Sequence, residues 1–133
     1  NCFHFLSDLD QGPCAIKRLR GCGCGNEYVS VTPEGDVYPC HQFVGKKEWI
    51  MGSVNDLSLN TEIKDSFAKT TVYTKPECRT CWAKFYCSGG CNANNLEYAG
   101  AIKKPYKLAC DLEKKRLECA IMIKAALADL EIE

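Results

Sequence analysis

The sequence lacks three features that would assign it to a common class of protein. It has no excess of either charge, because 17 Lys and Arg residues balance 17 Asp and Glu residues. A neutral chain has no overall electrostatic attraction to nucleic acid or to an anionic membrane. It has no apolar run near the roughly 20 residues that a membrane span needs, since the best run, Cys119–Ile123, ends at Lys124. It also has no internal repeat or low-complexity stretch, which argues against collagen-like and disordered proteins.

Cysteine, in contrast, is abundant, with 11 residues in a chain of 133. A single domain of this length buries roughly two-thirds of its unfolded surface and needs no covalent staple to fold. The cysteines therefore indicate a function, and three interpretations compete. Disulfides would leave one thiol unpaired, because the count is odd. Structural zinc and iron–sulfur clusters both use sets of four thiolates, so the spacing has to decide between them.

A β-hairpin is predicted between Cys24 and Cys40. Tyr28–Val31 is typical of a strand, Thr32–Asp36 of a turn, and Val37–Tyr38 of the returning strand. Cys24 precedes the first strand and Cys40 follows the second. The hairpin is therefore expected to bring these two thiols together at its open end, as two ligands of one metal site.

The clearest other element is a helix over Leu108–Leu130. Its apolar stripe is formed by Leu108, Leu112, Cys119, Ile123, Leu127 and Leu130. Asp111 and Lys115 can pair on another face. Cys110 falls in the first turn, where the helix dipole is expected to favour a thiolate.

Shorter elements are predicted along the rest of the chain. They are a helix within Cys2–Leu9, a short strand within Trp49–Val54, a helix capped by Asn60 or Thr61 and ending at Thr70 with Ile63 and Phe67 on one face, and a loop or a pair of helical turns over Cys78–Cys91. The glycines of Ser88–Gly90 are expected to let the backbone approach a neighbour closely. The predicted fold class is α+β: a small antiparallel β-hairpin, cysteine-rich loops around two metal clusters, and a long C-terminal helix.

The cysteine spacing of the second half is distinctive. The run is Cys78-x2-Cys81-x5-Cys87-x3-Cys91, and only its first pair has a spacing usual for zinc. The gaps also differ from the C-x2-C-x2-C-x3-C-P run of bacterial ferredoxins. With Cys24-x10-Gly35-x4-Cys40 upstream and Cys110 downstream, the pattern over residues 21–110 resembles the SPASM domain, the C-terminal auxiliary-cluster extension of many radical S-adenosylmethionine enzymes.

A finer resemblance is to the maturases of SCIFF peptides, which form a thioether between a peptide cysteine sulfur and the α-carbon of another peptide residue. The stretches that carry it are Val31–Gly45 and Glu113–Ala120. It implies a cysteine-rich precursor peptide as partner, no nucleic-acid or membrane partner, and a cytoplasmic location.

The cysteine run that binds the radical S-adenosylmethionine cluster, C-x3-C-x2-C, is absent, because Cys87-x3-Cys91 is followed by Asn94 rather than by cysteine. The resemblance then implies that this chain is a fragment of an enzyme and does not itself cleave S-adenosylmethionine. Residues 1–20 are expected to lead in from an upstream catalytic barrel of the same polypeptide, and residues 21–133 to form the SPASM domain with its C-terminal helix. S-adenosylmethionine and a third [4Fe–4S] cluster are expected only in the barrel.

The resemblance also implies the ligands of two auxiliary [4Fe–4S] clusters. Cluster II, the farther from the barrel, is assigned to Cys78, Cys81, Cys87 and Cys110. Cluster I is assigned to Cys24, Cys40 and Cys91, with Cys22 as an alternative or fourth ligand. If Cys22 is not a ligand, a free iron would bind the thiolate of the substrate peptide.

The remaining candidates receive structural interpretations. Cys119 is interpreted as a small buried hydrophobe, Cys2 and Cys14 as non-ligands, His41 as a residue of the surface or hairpin end, and Trp82, Phe85 and Tyr86 as a shield that keeps water from a cluster. Two other functions stay open: a two-site zinc module that serves protein interaction, and a stand-alone iron–sulfur electron-transfer protein.

Overall fold

The computed structural model describes Ser7, Leu9, Asp10 and residues 19–130, the last two by backbone only. The predicted Cys2–Leu9 helix lies largely outside the described residues, and Cys2 and Cys14 lie wholly outside them. What is described combines a small antiparallel sheet with short helices and a long C-terminal helix. The predicted α+β fold class is confirmed.

The sheet has four short strands, each antiparallel to the next in chain order. They are β1 (Ser30–Val31), β2 (Asp36–Tyr38), β3 (Gly52–Ser53) and β4 (Ser58–Leu59). The predicted hairpin is confirmed as β1 and β2, with Ser30 opposite Tyr38. The strand predicted within Trp49–Val54 is only the two residues of β3, because Lys47–Trp49 forms a 3-10 turn instead.

A tight turn sets the register of the hairpin. The N–H of Thr32 donates to the carbonyl of Asp36, and the N–H of Gly35 donates to the carbonyl of Thr32, each at 2.9 Å. Gly35 has a φ of 94°, and a Cβ there would lie 2.5 Å from Nδ2 of Asn55. Only glycine fits both conditions, so the register that carries Cys40 to the end of β2 depends on this residue.

Helices occupy most of the second half of the chain. Their bounds are Thr61–Ala68, Pro76–Arg79, Lys84–Cys87, Asn92–Ala99 and Lys107–Leu130, the last called the long helix below. Of the two predicted caps, Asn60 caps the first of these helices, since its side chain accepts from the N–H groups of Glu62 and Ile63. This helix ends at Ala68 and not, as predicted, at Thr70. Of the loop or pair of helical turns expected over Cys78–Cys91, the helical turns are present.

The core is an aromatic cluster beside the sheet. Phe43 and Phe67 are almost fully buried, with ring centroids 5.5 Å apart, and Trp49 lies 5.1 Å from Phe43. Phe67 and the half-buried Ile63 share the inner face of their helix, as predicted. Cys24 and Cys40 belong to the same buried cluster, so the core itself positions two of the proposed ligands.

The long helix begins at Lys107 and is confirmed, but its predicted apolar stripe is not its buried face. Leu117 and Ala120 are the buried residues, whereas Leu108, Leu112 and Leu127 are at least half exposed. Ile123 is also exposed, and the side chain of Leu130 lies outside the description. The helix therefore packs through the face of Leu117 and Ala120, whereas Cys110, Leu112 and Glu113 line the first cavity described below.

The charges of the long helix pair differently from the prediction. Asp111 accepts from Lys107 at 2.6 Å, and Lys115 donates to Glu118 at 2.5 Å. The prediction that Asp111 pairs with Lys115 is therefore wrong, because each of them forms an ion pair with another residue. Within the described part of the chain, no helix has both the length and the apolar character to cross a membrane.

Candidate metal centre

All the described cysteines are free thiols, so no disulfide forms among them. They are Cys22, Cys24, Cys40, Cys78, Cys81, Cys87, Cys91, Cys110 and Cys119. Apart from Cys119, they line two cavities. The first interpretation of the cysteine content, a disulfide framework, finds no support in this part of the chain.

The first group of thiols, at the open end of the hairpin, comprises Cys22, Cys24, Cys40 and Cys91. The N–H of Gly25 donates to the carbonyl of Pro39 at 2.9 Å, which ties the residue after Cys24 to the residue before Cys40. Cys91 packs against the same buried cluster, directly before the Asn92–Ala99 helix. The hairpin thus brings Cys24 and Cys40 together, as its pattern predicts.

Gly21–Gly25, called the glycine loop below, carries Cys22 and Cys24 on either side of Gly23. The carbonyl of Gly23 accepts three N–H groups, from Asn26, Glu27 and Tyr28, at 2.7 to 3.2 Å. Gly23 has a φ of 73°, so the chain turns sharply between the two cysteines. As a result Cys24 is only 5% exposed, whereas Cys22 is exposed to solvent.

Electrostatics couples the four thiols of this group. Burial raises the pKa of Cys24 far above its usual range, and the neighbouring Cys40 raises it further. Cys22 and Cys91 add smaller effects in the same direction. Without a cation the Cys24 thiol therefore resists ionisation. A bound metal supplies that positive charge and deprotonates its ligands.

The second group comprises Cys78, Cys81, Cys87 and Cys110. Two helical turns position the first three, since Cys81 N–H donates to the carbonyl of Cys78 at 3.1 Å and Cys87 N–H to that of Ala83 at 2.9 Å. The long helix supplies Cys110. Burial raises the pKa of Cys78 to about 11, Lys75 opposes this, and the other three thiols of the group raise it.

The expectation that the helix dipole favours a thiolate at Cys110 is wrong for the metal-free chain. Burial raises the pKa of Cys110, and nearby Cys81 and Asp111 raise it further against the effects of two lysines. The N–H of Cys110 is also already used, because it donates to the carbonyl of Tyr106 at 3.1 Å. A free thiolate here is therefore less favoured than the sequence position indicates.

Two cavities accompany the two groups. The first, of about 950 Å³, is lined by the four thiols of the first group and also reaches Cys87 and Cys110. The second, of about 300 Å³, is lined by all four thiols of the second group. The four thiols of each predicted ligand set thus line a common cavity, and Cys87 and Cys110 line both cavities.

The donor chemistry fits iron–sulfur clusters. In the described ranges, no three His, Cys, Asp or Glu side chains stand close enough to hold a metal ion as they are placed. Six thiols nevertheless line the first cavity and four line the second, and four thiolates are the ligands of a [4Fe–4S] cluster. Four thiolates also suit zinc, so the donor set by itself admits both metals.

A buried lysine that the sequence did not single out lies between the groups. Lys75 is 2% exposed, and its Nζ donates to the carbonyl of Gly89 at 2.7 Å and to Oδ1 of Asn92 at 2.9 Å. Burial lowers the pKa of Lys75, while the nearby thiols raise it. Gly89 has a φ of 82°, and a Cβ there would lie 3.2 Å from Nζ. Lys75 is therefore the neighbour that the backbone of Ser88–Gly90 approaches.

Side chains at the rim of the first cavity include a hydrogen-bond donor to a proposed ligand. Nε2 of Gln42 donates to Sγ of Cys91 at 3.6 Å. His41 is exposed, as predicted, and its Nδ1 lies 3.1 Å from the hydroxyl of Tyr28. All these residues line the first cavity, so they would meet any molecule that enters it.

Two of the structural interpretations need correction. Trp82 is 54% exposed and lines neither cavity, and Phe85 packs against Tyr73 instead. Of the three aromatic residues expected to shield a cluster, only Tyr86 lines a cavity. Cys119 is half-buried rather than fully buried, because it lies beside the packed face of the long helix and not on it.

Comparison with known families favours iron–sulfur clusters over zinc. Residues 22–82 match the SPASM family, an iron–sulfur cluster-binding domain. This segment is similar to SPASM domains. This supports an auxiliary iron–sulfur role for the chain. The matched segment includes Cys22, Cys24, Cys40, Cys78 and Cys81, and it ends before Cys87, Cys91 and Cys110. No curated protein matches the chain.

Proposed function

We propose that the chain binds two [4Fe–4S] clusters as the auxiliary domain of a radical S-adenosylmethionine peptide maturase. Cluster I is assigned to Cys24, Cys40 and Cys91 with Cys22, and cluster II to Cys78, Cys81, Cys87 and Cys110. The observation that supports the proposal is that the four thiols of each set line a common cavity, in a chain with a SPASM match. When bound, the clusters would supply an electron acceptor or relay and a site for a thiolate.

The substrate assigned to the first cavity is a cysteine-rich precursor peptide, as in the SCIFF group. Its volume of about 950 Å³ is about three times that of the second. It also contains Cys22, the one exposed thiol among the assigned ligands of the described chain. An exposed ligand on a short glycine loop is the easiest to exchange for a thiolate of the peptide.

The chain's own residues would bind and orient the peptide. Glu113 and Arg116 of the long helix line this cavity together with Gln42 and Tyr28. Buried Cys24 and Cys40 would stay fixed while the peptide thiol enters from the Cys22 side. The upstream barrel of the same polypeptide, in the cytoplasm, would supply S-adenosylmethionine and the third cluster, and the product would be a thioether.

Single substitutions of Cys22 and Cys24 test this function. Each variant is loaded with iron and sulfide without oxygen, and its iron content and peptide binding are measured. We expect Cys24→Ser to lose about four iron atoms per chain. We expect Cys22→Ser to retain them and to bind the peptide more tightly, because no protein thiolate has to be displaced.

Two controls make the result interpretable. Cys119→Ser removes a thiol outside both ligand sets and should change neither iron content nor binding. A peptide with serine in place of cysteine should not bind. The substrate assignment is wrong if this serine peptide binds as well as the cysteine peptide. The exchangeable role of Cys22 is wrong if Cys22→Ser loses as much iron as Cys24→Ser.

A further inference from the structure

Lys75 occupies an unusual place for a lysine. Its ammonium is buried, it lines neither cavity, and both of its hydrogen-bond acceptors are neutral oxygens. Within the described part of the chain it forms no ion pair with a carboxylate. A buried charge without a counter-charge is unfavourable, so the charge that compensates Lys75 has to come from another kind of group.

The surrounding thiols are that group. Cys78, Cys87 and Cys110 of the second ligand set, and Cys91 of the first, are the ionisable neighbours that act electrostatically on Lys75. As thiolates of a cluster, they would provide negative charge on both sides of the ammonium. Lys75 therefore lies where the fields of the two ligand sets overlap.

The hydrogen bonds of Lys75 reinforce this position. Gly89 and Asn92 flank Cys91, and Gly89 belongs to the short segment between Cys87 and Cys91. This segment crosses from one ligand set to the other. Nδ2 of Asn95 also donates to the Gly89 carbonyl, at 3.2 Å. Lys75 thus holds in place the segment that connects the two ligand sets.

We propose that Lys75 is an internal counter-ion shared by the two cluster sites, which raises the reduction potential of both clusters. The inference rests on the proposed cluster binding. The physical reason is that adding an electron is easier near a fixed positive charge, and that a buried charge is screened less by solvent. Since Lys75 lines neither cavity, it is a positioning and tuning residue and not one that touches substrate.

The test compares two substitutions with an exposed control in the full 133-residue chain. Lys75→Met removes the charge and the hydrogen bonds, whereas Lys75→Gln removes the charge and keeps an amide donor. Lys69→Met removes a charge that is exposed and paired with Asp65. Each loaded protein is titrated with reductant without oxygen. Electron paramagnetic resonance gives the two midpoint potentials, and iron and sulfide are counted.

We expect both Lys75 variants to shift both midpoint potentials downward relative to the parent chain and to Lys69→Met. A second result also supports the counter-ion role. In it, Lys75→Gln is folded by circular dichroism but binds no clusters, whereas Lys69→Met binds them. The cluster sites then require the charge of Lys75. The inference is overturned if loaded Lys75→Gln keeps both parental potentials, or if only one cluster shifts. Failure of cluster binding itself is distinguishable, since the parent chain would then contain no iron.

Discussion

The N–H of Gly25 donates a 2.9 Å hydrogen bond to the carbonyl of Pro39 across the base of the hairpin. This bond joins the residue after Cys24 to the residue before Cys40, so it fixes the spacing of two proposed ligands of cluster I. Phe67 packs directly beneath Gly25, where a Cβ would lie 2.6 Å from its Cγ. The aromatic core and the glycine loop therefore pack together as one unit.

Replacement of Gly25 by alanine should loosen this unit. Gly25 has a φ of 75° and no room for a Cβ. We expect Gly25→Ala to lower the free energy of unfolding by about 1–2 kcal/mol for the left-handed backbone and about 1–3 kcal/mol more for overpacking. Urea unfolding measures the change, and iron content should fall with it.

Gly45→Ala is the matched control for this prediction. Gly45 also has a positive φ, of 88°, but a Cβ at this position would meet no other atom within 4 Å. The variant should show only the backbone cost and keep its iron. Equal destabilisation of the two variants would contradict the packing of Phe67 against the glycine loop.

Gln42 is expected to tune cluster I through its hydrogen bond to Cys91, which spans 3.6 Å from Nε2 to Sγ. Hydrogen bonds to cluster sulfur stabilise the reduced, more negative state. Gln42→Leu should therefore lower the midpoint potential of cluster I and leave that of cluster II unchanged. Gln42→Glu is not a suitable control because it adds charge, so the exposed Lys69→Met serves again. An unchanged potential of cluster I would show that the hydrogen bond is absent in the loaded chain.

Local sequence signals predicted the parts of the fold that depend on local chemistry. The hairpin follows from the turn residues Thr32–Asp36, and the cap at Asn60 from its side-chain oxygen, and both are present. The Asn92–Ala99 helix was not predicted. Three of its eight residues are asparagine, a residue of low helix propensity. Hydrogen bonds of the buried Asn92 and Asn95 hold the helix in place, since Asn92 accepts from Lys75 and Asn95 donates to the carbonyl of Gly89.

Tertiary packing determines which face of a helix and which lysine are buried, and the sequence pattern did not predict either. The apolar periodicity of the long helix indicated a helix correctly but a wrong buried face, because Leu117 and not Leu112 meets the core. The family pattern proposed the ligand sets, and the structure arranges those thiols around two cavities. Lys75 carried no local signal beyond the glycines that approach it, since nothing in the sequence distinguishes a buried lysine from an exposed one.

The metal-free chain should lose stability as the pH rises from neutral into the alkaline range. The pKa of Cys78 is raised by burial to about 11, whereas an unfolded thiol titrates near about 8.5. Between these values the unfolded state releases a proton that the folded state keeps, so the free energy of unfolding falls with pH. Urea unfolding of the metal-free chain at several pH values measures the slope.

Cys78→Ser provides the comparison. It should show a smaller decline than the parent chain, although some decline remains because burial also raises the pKa of Cys24 and Cys87. Cys119→Ser should decline like the parent. A parent chain whose stability is constant over this range would contradict the burial of Cys78 in the metal-free fold.

The most direct test of cluster binding is the content of iron, zinc and acid-labile sulfide per chain, on protein purified without oxygen, with a Mössbauer spectrum of the same sample. We expect about eight iron and about eight sulfide per chain, with a spectrum of four-iron clusters. About two zinc ions with no sulfide would contradict cluster binding and would make the chain a zinc-binding module without a redox role.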